Sequence, residues 1–310
     1  MTASIKTRGY ILGIIAAATY GMNPLFTLPL YKDGLDPNSV LFFRYLFSIP
    51  ILAAMVKLRG RNFKLQKKEI MPLGIMGILA ALSSLTLFTS YNYMDAGIAS
   101  TILFVYPIMV ALIMASFFKE KITIQTTLCI ILALSGIGIL YKGDGGTTLS
   151  LTGIGYVMAS ALSYAIYIVG VNRPALKQIA TVKLTFYAIT FGFVVFVFGT
   201  DFCTDIKVPT KWYLWFNFVA LAALPTVISF MCTTVAAQYI GSTKTAILGA
   251  LEPVTAVIFG VTLFGEQLTS RIVGGIIMII IAVTLVIAGG EITTQLLRFR
   301  KLFPKISRKK

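Results

Sequence analysis

Stretches of about twenty residues, almost free of charge, recur along nearly the whole chain, and nothing else restricts its fold as much. There are ten, at 9–31, 39–57, 70–94, 96–117, 122–141, 152–171, 182–200, 212–238, 242–264 and 269–290. A helix rises about 1.5 Å per residue, so each can cross a hydrocarbon layer about 30 Å thick. Soluble domains average about 45–50% apolar and about 25% charged residues. This 310-residue chain is 57% hydrophobic and 12% charged, too lopsided for a water-facing surface. The fold class expected is an all-α integral membrane protein with ten transmembrane helices. The first stretch, Gly9 to Tyr31, exceeds the 7–15 residues of a signal-peptide core and reads as a retained helix.

The formal charge of +16 invites a nucleic-acid reading until the charges are located. With the N-terminus in the cytoplasm, 21 Lys and Arg fall inside and five outside, with Arg44 alone within a span. That asymmetry is the positive-inside signal and places both termini in the cytoplasm of a plasma (bacterial inner) membrane. The basic balance is topology, so a nucleic-acid partner is excluded. The tail 293–310 is positioned to touch anionic lipid. The sequence has no His, and Cys129, Cys203 and Cys232 are far apart. A metal site, a disulfide framework and a cofactor are unsupported.

The chain also repeats itself. "VYPIMVALIMASFFKEKIT" (105–123) aligns without gaps on "LEPVTAVIFGVTLFGEQLT" (251–269), pairing Pro107 with Pro253 and Glu120 with Glu266. The first and sixth stretches pair Tyr20 with Tyr164. Two five-span halves follow, at 1–145 and 146–292. Five is odd, so the second half is inverted, the architecture of carriers whose site lies where the halves meet.

A helix with a proline in its course, ending in "FFKEKIT" and again in "LFGEQLT", each closing a five-span half, resembles the EamA family of the drug/metabolite transporter superfamily. The resemblance covers essentially the whole chain. It implies a ten-helix secondary carrier, commonly an exporter of amino acids or related small metabolites, binding between its first, third, fourth, sixth, eighth and ninth helices. Lys119 stands where the family usually has glycine.

Glu252 is the main candidate for a site. A charge at a helix centre costs about 2.5–3.5 kcal/mol, against about 0.3–0.6 gained per Leu, Ile, Val or Phe. It shares a helical stripe with Thr245, Gly249, Ala256 and Gly260, which suits close packing or a cavity wall. Three roles are open: helix packing, holding a substrate ammonium, and carrying a coupling proton. Pro253 cannot donate to the Gly249 carbonyl, nor Pro107 to that of Leu103, so both are expected flex points. Tyr106, before Pro107, is the counterpart of Glu252. Arg44 either snorkels to the outer surface or serves as a ligand for a substrate carboxylate or a partner for Glu252. Tyr20, Asn23, Tyr164, Tyr167 and Ser229 are further cavity candidates, each also explicable as a helix–helix hydrogen bond. A membrane-embedded enzyme would need paired catalytic groups and a channel would need repeated filter residues or charge rings. Neither pattern is present.

Overall fold

The computed structural model describes residues 3–118, 124–141, 150–171, 176, 178–240, 248–249, 251–282 and 284–285. Glu120 with Lys119 and Lys121, Thr245, the tail 293–310 and the side chain of Cys129 lie outside them. The described residues form helices and connecting turns, with no strand among them. Among the described residues, seven helical rods are long and apolar enough to cross a membrane, and three shorter apolar helices (Ile130–Ile139, Leu251–Phe264 and Ser270–Ala282) accompany them. Apolar side chains such as Ile11, Met71, Phe117, Ile258 and Ile277 are exposed on their outer faces, as in a protein solvated by lipid.

The first rod is broken. α1 (Ala3–Gly21) and α2 (Asn23–Lys32) meet at Met22. Pro24 has no N–H for the carbonyl of Tyr20 four residues back. The side chain of Asn23 donates to that carbonyl instead, at 2.9 Å. α3 (Pro37–Leu58) starts cleanly because Asp36 accepts from the backbone N–H groups of Asn38 and Ser39, with proline in the first turn. α4 (Lys67–Ser90) opens with a capping box between Gln66 and Glu69.

The fourth expected span is also two pieces, α5 (Ala96–Leu103) and α6 (Tyr106–Phe118), with Pro107 in the first turn of α6. α7 (Ile124–Tyr141) and α8 (Leu151–Val171) follow, then α9 (Thr181–Gly199). The eighth expected span changes its winding three times. A 3₁₀ turn (Trp212–Leu214) leads into α10 (Trp215–Leu221), a π-helical turn (Ala222–Ile228) and α11 (Ser229–Ile240). α12 (Leu251–Phe264) begins only two residues before Pro253.

Helices of the two halves approach closely where glycine replaces a side chain. A Cβ on Gly77 of α4 would lie 2.7 Å from the Ala188 carbonyl of α9, and one on Gly192 of α9 would lie 2.7 Å from the Gly77 carbonyl. Such contacts let apolar helices pack by dispersion where water exclusion gives no drive. Ser160 of α8 donates to the Ser83 carbonyl of α4 at 2.7 Å, tying the same halves together.

Candidate functional site

Between the halves lies a cavity of about 40 Å³. Four of the expected residues line it: Tyr20 from α1, Arg44 from α3, and Tyr164 and Tyr167 from α8. Tyr45, Ser84, Thr185 and Thr226 add hydroxyl groups that sequence reasoning did not single out. The cavity therefore draws on the first, second, third, sixth, seventh and eighth of the expected spans. Of the fourth and ninth, implied by the family resemblance, no described residue lines it. Ligand pockets hold about 300–1,000 Å³, so the cavity as it stands is too small for a metabolite.

Arg44 does not snorkel. It is 5% exposed, its Nε donates to Thr226 Oγ1 at 2.9 Å, and its guanidinium carbon sits 5.3 Å from the centre of the Phe88 ring. Thr226 is held for this contact by the π-helical turn. Pro225 has no N–H for the Leu221 carbonyl, and the Thr226 hydroxyl donates to that carbonyl at 2.9 Å. With its proton so committed, the hydroxyl oxygen has its lone pairs left for Arg44. This link joins residues 182 apart, one in each half.

Glu252 stands in the first turn of α12 and does not line the cavity. It lies within electrostatic reach of Tyr20, Tyr106 and Tyr164. The Tyr106 ring packs edge-on against Tyr164 at 4.8 Å, and Tyr164 stacks on Tyr167 at 6.1 Å. An aromatic column thus runs from the surroundings of Glu252 to the cavity. The Gly249 carbonyl is not freed by Pro253, because the Glu252 N–H donates to it at 2.9 Å. Proline falls in a first turn, where its missing N–H matters least. The same holds for Pro107. Asn23 completes the break in the first rod, and its Oδ1 is buried without a partner among the described residues. Ser229 donates to the Ala16 carbonyl at 2.9 Å and so links α11 to α1 outside the cavity lining.

The EamA-like transporter family matches residues 7–142 and again 151–288. The chain belongs to this family. Its two matches coincide with the two repeats, and membership makes it a multi-pass membrane transporter. Among EamA-like relatives, the uncharacterized transporter YvbV of Bacillus subtilis is 24% identical over 91% of this chain and 92% of its own. YdfC of the same organism, likewise an uncharacterized transporter, is 25% identical over 80% and 81%. An uncharacterized transporter of Archaeoglobus fulgidus is 25% identical over 78% and 84%. A solved crystal structure shares the fold at a TM-score of 0.65 and 16% identity, over 90% of this chain and 96% of that one.

In this EamA-like transporter the glutamate of "LFGEQLT" has a structural partner that the sequence did not disclose. Glu266 reaches from the loop after α12 to the N-terminus of α5, accepting from the N–H groups of Ala96 (2.9 Å) and Gly97 (3.3 Å). Gly265, at φ +72°, ends α12 and turns the chain toward it. The carboxylate fills a niche walled by glycine: the three atoms nearest a Cβ on Gly260 would all be its own, the first at 2.1 Å. Burial first, and then the Asp95 carboxylate, push the Glu266 carboxyl up to about 7, against the pull of the two N–H donors. A carboxylate at a helix N-terminus meets both the unpaired N–H groups and the positive end of the helix dipole.

Proposed function

We propose that this EamA-like protein is a secondary carrier for small polar or amphipathic metabolites, such as amino acids or their relatives. All ten apolar helices cross the membrane as two inverted halves, with both termini in the cytoplasm of the plasma membrane, and net flux is outward. The halves rock about the cavity so that it opens to one side and then the other. What carries the reading is the contact of Arg44 with Thr226, a buried charge of one half held by the other beside a hydroxyl-lined cavity. Glu252, near the cavity but outside it, serves as the coupling group that takes up and releases a proton during the cycle. Tyr106, Tyr164 and Tyr20 connect it to the solute.

Counterflow in proteoliposomes tests this with the purified full chain, a labelled panel of amino acids, amines and nucleosides, and Glu252→Gln beside wild type. Saturable exchange by both proteins, stimulated by a pH gradient only in wild type, is expected. Absence of exchange for the whole panel overturns the solute class, and gradient-stimulated exchange by Glu252→Gln removes Glu252 from coupling. Uptake that never saturates points instead to a channel.

A further inference from the structure

We propose that the cavity takes its solute by a single carboxylate, gripped by the two Nη atoms of Arg44 while Thr226 holds the guanidinium in position from the other half. The proposal rests on the carrier reading above and names the chemistry of its solute.

A buried charge is costly unless it is paired. Arg44 donates from Nε to Thr226 and lies against Phe88, but forms no ion pair among the described residues. Among the described residues, those that line the cavity include no Asp, Glu or Lys. Arg44 therefore faces the cavity with no carboxylate among the described residues that line it, and a singly charged anion in the cavity balances its charge. A phosphate dianion would bring a second negative charge with no partner among the described lining residues. The flat fork of a guanidinium matches the two oxygens of a carboxylate.

The rest of the lining fits the same solute. Hydroxyl groups of Tyr20, Tyr164 and Thr185 can donate to a carboxylate oxygen. The rings of Tyr164 and Tyr167, 9° from parallel, offer a flat wall to an apolar group. Thr226 is a positioning residue. Its hydroxyl proton goes to the Leu221 carbonyl, which fixes the direction from which it accepts Arg44 Nε. The Nη atoms have no hydrogen-bond partner among the described residues, and Arg44 lines the cavity. Because Thr226 stands in the π-helical turn of the second half, movement of the halves and grip on the carboxylate are coupled.

The test compares leucine and 4-methylpentanoate, which carry the carboxylate, with leucinamide and 3-methylbutylamine, which lack it. Each is assayed by counterflow in proteoliposomes of the full chain, with inorganic phosphate as a competitor. Saturable exchange of one or both acids, none of the amide or amine, and no competition by phosphate are expected. Thr226→Val raises KM about tenfold with little change in maximal rate, as expected for loss of an oriented hydrogen bond to a charged group, and Thr226→Ser restores it. Arg44→Lys, which cannot form the fork, loses saturation. If that variant does not fold, the solute panel and the Thr226 pair still decide. Exchange of the amide or amine as fast as the acids, or an unchanged KM in Thr226→Val, overturns the carboxylate site while the carrier reading stands. Phosphate competing as well as the acids shows the anion class to be wrong. No exchange of any compound overturns both.

Discussion

Replacing Gly260 by alanine should destabilise the protein, yet stabilise it once Glu266 is gone. The new methyl would lie 2.1 Å from Oε2 and 2.5 Å from Cδ of Glu266. The carboxylate is the free end of a side chain, so it gives way, and the N–H groups of Ala96 and Gly97 lose their acceptor. Loss of such a two-bond cap costs about 2 kcal/mol, the upper end of the range for helix N-caps. Exchanging glycine for alanine inside a helix returns roughly 0.8–1 kcal/mol. The net expectation for Gly260→Ala is about 1 kcal/mol of destabilisation in wild type, from these opposing terms. In a Glu266→Ala background nothing else lies as near, and the same change should stabilise by about 1 kcal/mol. A double-mutant cycle separates the two contributions. Unfolding in mixed micelles by dodecyl sulfate, followed through Trp212 and Trp215, reads all four proteins. Equal effects of Gly260→Ala in both backgrounds refute the idea that the carboxylate fills that niche.

Glu266 also gives a pH dependence of definite sign. Its folded value of about 7 exceeds the usual 4.5, so the native state binds the extra proton, and stability falls as pH rises between those values. Thermal unfolding in detergent across that window should show the decline, and Glu266→Gln should flatten it. At the contact of the halves, Gly77→Ala pushes a methyl into the Ala188 carbonyl and the Gly192 nitrogen. Overpacking of that kind costs about 1–3 kcal/mol, whereas Gly74→Ala, with nothing within 4 Å, should be neutral or mildly stabilising in the same unfolding assay. Asp36→Ala removes the cap of α3 and should cost about 1 kcal/mol, read as a lower melting temperature in detergent.

The apolar stretches and the alignment of 105–123 on 251–269 made the helical class and the two repeats of the family legible, because hydrocarbon imposes a length on every crossing and a repeat keeps its spacing. Breaks within rods were not legible. Apolar residues suit a continuous helix and a broken one equally, so the apolarity of 9–31 did not mark the break at Met22, where Asn23 takes over the Tyr20 carbonyl within a rod that is still one candidate span. Pro253 was expected to bend a helix at mid-course, but α12 starts beside it. Tyr20, Tyr164, Tyr167 and Arg44 stood out by polarity within apolar runs, and all four line the cavity. Thr226 was missed because its role depends on Pro225 and on Arg44 across the halves. A threonine in an apolar run carries no such mark. Glu266 stood out as a family residue, yet its partners lie 170 and 169 residues away, beyond any local pattern.

Alternating access around the Arg44 cavity is tested most directly by a single cysteine at Thr185, which lines it, in a chain whose Cys129, Cys203 and Cys232 are replaced by serine. The rate of labelling by a membrane-impermeant maleimide is measured from each face of oriented vesicles, with a pH gradient imposed in either direction. Rocking halves predict labelling from both faces, with one rate rising as the other falls when the gradient is reversed. Labelling confined to one face under all conditions, or two rates that rise and fall together, contradicts it.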